Sequence, residues 1–106
     1  MIDESRVEKA MQWLVDNAEA IASARAYRSM MEHKRKAVVA MIMARHADKP
    51  LGAQERDAHA SDEYTQWLLD YQEAVNKDEL LSLTADNAKE VIRLFQTISA
   101  NARGIR

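Results

Sequence analysis

The sequence predicts an all-α protein, a long antiparallel two-helix hairpin with a short helical connector, and three observations lead to this fold class. The chain of 106 residues has only two Gly and one Pro, which leaves little material for turns. Apolar residues recur at heptad spacing in its second half. The net charge alternates in sign along the chain, as expected if the chain folds back once near residue 54.

The first predicted helix covers about residues 3–47. Its apolar stripe starts with Val7, Met11, Leu14, Ala18 and Ile21, and then slips to Ala24, Met31, Val38 and Ile42. Arg28 and Arg35 fall in the slipped part, so this helix is less regular than the second one.

The connector covers residues 48–61 and contains Pro50 and Gly52, two residues that interrupt helices. Residues 53–60 can form a short helix within it. Ser61 or Asp62 is suited to cap the next helix, because a side-chain oxygen there accepts from the exposed backbone N–H groups. We expect one domain over residues 1–106.

The second predicted helix covers residues 62–102 and carries a heptad seam with a single charged residue, Asp78. The seam residues are Tyr64, Trp67, Tyr71, Ala74, Asp78, Leu81, Ala85, Ala88, Ile92, Phe95, Ser99 and Ala102.

The alternating charge aligns the two helices. Residues 1–22, 23–49, 62–90 and 91–106 carry net charges of −3, +5, −6 and +3, so a hairpin brings opposite signs together throughout. Reversal near residue 54 places Arg28 within about a turn of Asp78. We therefore predict a polar Arg28–Asp78 layer that fixes the register of the two helices.

Near the open end of the hairpin there are more apolar residues than a single seam between two helices can bury. A lone two-helix hairpin also has little core. This favours a homodimer that forms a four-helix bundle. Its predicted oligomer face consists of Val7, Met11, Leu14, Val91, Leu94 and Ile98. The alternative is a compact monomer whose long helices break near residues 22–26 or 82–87.

The sequence carries no catalytic or cofactor motif, so we expect a non-enzymatic protein without cofactors. His59 and Glu63 lie one turn apart, but a metal site needs three or four convergent ligands, so surface histidines are the favoured interpretation. There is no Cys, the start MIDESR is unlike a signal peptide, and no apolar run could span a bilayer. We expect a cytoplasmic protein with no membrane contact.

Residues 25–36 form the best candidate for nucleic-acid contact, through Arg25, Arg28, Arg35 and Lys36, which share one helical stripe. The same pattern is typical of cations that pair with an acidic helix, and Asp70, Glu73, Asp78 and Glu79 lie at the matching height. The slightly negative net charge of −2 favours pairing, within the chain or between subunits.

Three diffuse motifs resemble a set of small, uncharacterised all-helical proteins encoded by phages and prophages. These are Arg25-Ala26-Tyr27 with Met31-Glu32 and Arg35-Lys36-Ala37; residues 53–64 with Leu68; and Ile92, Gln96, Thr97, Ala100, Asn101 and Arg103. The resemblance covers about residues 25–103, and this chain has Leu94-Phe95 where the relatives have Trp-Arg. It implies no established activity, but it does imply a bacterial host cell and a gene near recombination and single-strand-binding functions.

Two functional hypotheses follow. The first is a non-enzymatic phage or prophage protein, a homodimeric adaptor or scaffold that binds a phage or host protein. The alternative is an accessory protein in phage recombination or replication that contacts single-stranded DNA.

Overall fold

A computed structural model describes residues 3–104, and these are helical apart from short connecting turns, which confirms the all-α fold class. Helix α1 covers Glu4–Ala44, α2 covers Leu51–His59 and α3 covers Asp62–Gly104. Both long helices are continuous, without breaks near residues 22–26 or 82–87. Of the expected domain, residues 1, 2, 105 and 106 lie outside the described residues.

The ends of the helices have identifiable causes. At the start of α1, the Arg6 N–H donates to Asp3 Oδ1 at 2.9 Å. Helix α1 ends three residues earlier than predicted, because the N–H groups of Arg45 and His46 donate to carbonyls three residues back, which tightens the chain into a turn. Pro50 precedes α2 with φ −58° and ψ 151°, and so starts that helix from extended backbone.

Ser61 caps α3, one of the two residues that the sequence offered for this role. Its Oγ accepts from the Tyr64 N–H at 3.1 Å and donates to the Ala58 carbonyl at 2.7 Å. Asp62 and Glu63 follow in the first turn, where negative charge stabilises a helix. One serine thus joins the end of α2 to the start of α3.

The contacts group into two compact units. Within the described residues, unit 1 contains 3–23 and 79–104, whereas unit 2 contains 24–78. Unit 2 includes α2 and segments of both long helices, and unit 1 consists of two helical segments only.

In unit 2, the segments of α1 and α3 run antiparallel. Arg28 contacts Asp78 and Arg45 contacts Glu63, so the contact partners on α3 move backwards as α1 advances. Met31, Trp67 and Ala74 form the buried cluster, and Val38, Tyr64 and Tyr71 pack against it. The Trp67 Nε1–H donates to the Met31 carbonyl at 2.8 Å, which satisfies the one polar atom of a buried indole.

Burial on α3 follows the predicted seam. All buried residues of this helix are seam positions, namely Trp67, Ala74, Asp78, Ala85 and Ala88. Heptad spacing in the sequence therefore correctly predicted which residues of α3 are buried against the rest of the chain.

Burial on α1 corrects the predicted stripe. Met11 and Ala18 are exposed, whereas Ala10 is buried and Asn17 is half-buried. The side chain of Asn17 donates to the Trp13 carbonyl at 2.9 Å, so its amide is satisfied on its own helix. The buried positions of α1 therefore keep heptad spacing from Val7 onwards, and the slip that the sequence predicted is wrong.

Candidate protein-interaction face

Unit 1 buries very little apolar bulk. Its buried apolar residues are Val7, Ala10, Ala85 and Ala88, three of which are alanine. Among its described residues, Val7 is therefore the only large apolar side chain that is buried. Two helical segments cannot enclose large side chains on every face, since neither has a third element against it.

The six residues of the predicted oligomer face occupy three different environments. Val7 is buried, Leu14, Val91 and Leu94 are half-buried, and Met11 and Ile98 are exposed. Val7 therefore packs inside the chain rather than on a free surface, because it lies on the heptad seam of α1.

Met11 also does not belong to the same surface as Val91. Near Val91, α1 contributes Trp13, since both residues line one groove. Met11 precedes Trp13 by two residues, which turns its side chain about 160° away on a helix. It pairs instead with Val15, one turn later, and both are exposed.

The remaining apolar surface of unit 1 forms a stripe along α3. At about 100° per residue its members fall within a sector about 80° wide. We define the α3 stripe as Leu80, Leu83, Val91, Leu94 and Ile98. Leu80 is 67% exposed, Leu83 is 64% exposed and Ile98 is 54% exposed, so much of the stripe is open to solvent.

The α3 stripe borders a groove that we call the Trp13 groove. Its volume is about 270 Å³, and it is lined by Arg6, Lys9, Ala10, Trp13, Thr84, Asn87, Ala88 and Val91. The half-buried Trp13 and Val91 provide apolar walls, and Arg6 and Lys9 place positive charge at one side. A groove with apolar walls and a charged border is typical of a surface that accepts another helix.

Leu80, Leu83 and Trp13 belong to this face but are absent from the predicted oligomer face. Leu80 and Leu83 lie off the seam but share one side of α3 with Val91. Helical periodicity could therefore have identified them from the sequence. The predicted oligomer face takes its α3 residues only from Val91 onwards, so it leaves out these two leucines.

The predicted nucleic-acid residues of unit 2 separate into two kinds. Arg28 donates through Nη1 to Asp78 Oδ2 at 3.1 Å, so the predicted juxtaposition of these two residues is present. Arg25, Arg35 and Lys36 are exposed, and none of them forms an ion pair with any residue from 3 to 104. These three cations therefore do not pair within the described part of the chain. The sequence favoured pairing within the chain or between subunits, and pairing between subunits stays a prediction.

Arg35 and Lys36 instead line a groove of about 520 Å³ in unit 2. Glu32, His33, Trp67 and Tyr71 complete its lining. The rings of Trp67 and Tyr71 are parallel to within 8°, with centroids 5.3 Å apart. We call this the aromatic groove.

Two ion pairs at the connector have electrostatic consequences. Lys49 donates to Asp57 at 2.8 Å, and this hydrogen bond lowers the pKa of the Asp57 carboxyl. Arg45 donates to Glu63, and lowers the pKa of Glu63 in the same way. Both pairs join the end of α1 or the turn after it to the elements that follow, so they hold the connector in place.

His59, the histidine considered for a metal site, is occupied by local contacts. The His59 ring packs against Tyr64 with centroids 4.8 Å apart, and its Nδ1 lies 2.7 Å from the Glu55 carbonyl. Glu63, the expected partner of His59 in a shared metal site, is paired with Arg45. Across residues 3–104 there is no group of three or more His, Asp or Glu side chains placed to hold a metal ion.

Comparisons with protein-family profiles, with curated proteins and with solved structures found no match to this chain. Within the described part of the chain, every helix is too short or too polar to cross a membrane.

Proposed function

We propose that the protein is a non-enzymatic helical interaction protein, and that its first partner is a second copy of itself bound through unit 1. The observation that carries this proposal is the burial pattern of unit 1, in which Val7 alone among the described large apolar residues is buried. Apolar surface of this kind contributes about 25 cal/mol for each Å² that a partner covers.

The proposed occupant of the apolar face of unit 1 is a second copy of this chain, and the face is bordered by charges of both signs. Arg6 and Lys9 border the Trp13 groove. The α3 segment of the same unit carries three acids and three cations, namely Glu79, Asp86 and Glu90 against Lys89, Arg93 and Arg103. A two-fold arrangement would place the α3 stripe of each copy against that of the other.

Two copies of unit 1 would supply four helical segments, the number that encloses a common core in a four-helix bundle. Large side chains such as Leu83 would then be covered, while the alanines of the seam allow the two helices of each copy to stay close. A homodimer of this kind is suited to an adaptor or scaffold, because two identical units 2 remain on its surface.

The motif resemblance extends the proposal to a biological setting. We infer a phage or prophage protein that acts in the cytoplasm of a bacterial host, where the dimer binds a phage or host protein. The burial argument does not depend on this setting, since it concerns only the residues of unit 1.

Light scattering during size-exclusion chromatography tests the dimer with a matched pair of variants. Leu83→Asp places a charge in the α3 stripe, and we expect it to convert dimer to monomer. Leu69→Asp is the control, because Leu69 is also an exposed leucine of α3 but lies in unit 2. Equal effects of the two substitutions, or a monomeric parent protein, would contradict the proposal.

A further inference from the structure

The aromatic groove of unit 2 combines positive charge with a flat ring. Arg35 and Lys36 supply the charge from α1, and Tyr71 supplies the ring from α3. Tyr71 is half-buried whereas Trp67 is buried, so Tyr71 offers the more accessible aromatic surface. The aromatic groove is open to solvent.

The positions of the two rings are fixed by contacts below the groove. The Trp67 Nε1–H donates to the Met31 carbonyl, and the parallel Tyr71 ring lies against the indole. A ligand that packs on Tyr71 therefore meets a ring that is already oriented, which reduces the entropy lost on binding.

The cations that face this groove are not used inside the chain. Arg35 and Lys36 are exposed and form no ion pair with the described residues, although acids are plentiful on α3. Arg25 is equally unpaired and lies on the same side of α1 as Lys36, three turns earlier, so the positive charge continues beyond the groove. Glu32 is the acid of the lining. Because it repels negative charge, it favours an anionic ligand that lies towards Arg35 and Lys36.

We propose that the aromatic groove binds a segment of single-stranded nucleic acid, with phosphates at Arg35 and Lys36 and a base packed against Tyr71. Proteins that bind single strands combine a positive groove with aromatic rings on which bases stack. An acidic peptide would match the cations but would leave the ring unused. This site lies in unit 2 and is carried by unpaired cations, so it stands independently of the dimer proposed for unit 1.

Fluorescence anisotropy with a labelled single-stranded oligothymidylate of about 20 nucleotides tests the site, since single-strand site sizes are of this order or smaller. We expect Arg35→Ala/Lys36→Ala to weaken binding about tenfold at low salt, and to reduce the slope of log K against log salt by about 1.4. The control is Lys89→Ala/Arg103→Ala, which removes the same charge from exposed positions of unit 1 and leaves that slope unchanged.

A second variant tests the aromatic part. Tyr71→Leu keeps a large apolar side chain in the half-buried site, and we expect it to weaken oligonucleotide binding about fivefold or more, since stacking contributes about 1–3 kcal/mol per base. Circular dichroism checks that the variant is folded. Absence of binding by the parent protein, equal binding by Arg35→Ala/Lys36→Ala, or equal binding of duplex DNA or a polyglutamate peptide would each overturn the proposal.

Discussion

Arg28 and Asp78 lie 50 residues apart in the sequence, yet the guanidinium of one donates to the carboxylate of the other at 3.1 Å. The Asp78 side chain is 10% exposed, whereas the Arg28 side chain is 32% exposed. The carboxylate has therefore lost most of its water, while the guanidinium keeps part of its own. Such a pair contributes little net stability but makes any other alignment of α1 and α3 in unit 2 costly.

Removing one partner of this pair should destabilise the protein. In Arg28→Leu, the buried Asp78 loses a charged donor, and we expect a loss of about 1–3 kcal/mol in the free energy of unfolding. Urea denaturation followed by circular dichroism measures it. The control is Arg25→Leu, an exposed arginine of the same helix without an ion pair to the described residues, for which we expect a change below about 0.5 kcal/mol.

A double variant separates a register role from a stabilising role. Arg28→Leu/Asp78→Leu removes both charges and offers apolar bulk at the same positions, so we expect it to recover most of the stability lost in Arg28→Leu. If the register depends on the pair, the double variant should also show broader denaturation than the parent protein. Additive losses from the two substitutions would show that Arg28 and Asp78 are not energetically coupled, which would contradict a register role for the pair.

Trp67 should contribute more to stability than Trp13. Trp67→Phe removes the donor to the Met31 carbonyl and part of a buried ring, and we expect a loss of about 2 kcal/mol. Trp13→Phe is the matched control, because Trp13 is half-buried at the edge of unit 1. We expect a smaller loss there. Thermal unfolding of the two variants measures the difference, and the reverse order would contradict the burial pattern described for unit 2.

The connector ion pairs predict a loss of stability in acid. Because Lys49 and Arg45 lower the folded-state pKa values of Asp57 and Glu63, these carboxylates contribute stability above their unfolded pKa values. That contribution is lost as the pH falls below about 4, towards the lowered folded pKa values. Urea midpoints from neutral pH to pH 3 should show it.

The matched variant for this effect is Asp57→Asn, which cannot form the charged pair with Lys49. We expect its urea midpoint to fall less steeply between pH 5 and pH 3 than that of the parent protein, because one of the titrating groups is gone. The two exposed pairs contribute modestly at neutral pH, since solvent screens them. Parallel pH profiles for Asp57→Asn and the parent protein would show that the Lys49–Asp57 pair makes no contribution.

The sequence predicted the α3 seam and the alignment of Arg28 with Asp78 because both depend on local periodicity and one reversal point. It failed on α1 because Asn17, a polar residue, occupies a seam position and bonds to the Trp13 carbonyl. The apolar Met11 was chosen in place of the smaller Ala10, although Ala10 is buried and Met11 is exposed.

The free cations of unit 2 could not be predicted from charge alone. The alternation of charged blocks matches Arg35 and Lys36 with acids at the same height on α3. Height along a helix does not determine the side from which a side chain projects. An ion pair forms only when the two side chains match in height and also project towards each other. The aromatic groove was hidden for the same reason, since it joins residues of α1 and α3 that only tertiary structure brings together.

Sedimentation equilibrium of the parent protein across micromolar concentrations tests the central claim most directly, because the mass of one chain is 12.1 kDa. We expect a species of twice that mass, which dissociates to the single-chain mass in Leu83→Asp and remains intact in Leu69→Asp. A parent protein that keeps the single-chain mass at every concentration would contradict the account, since the apolar α3 stripe would then remain in solvent.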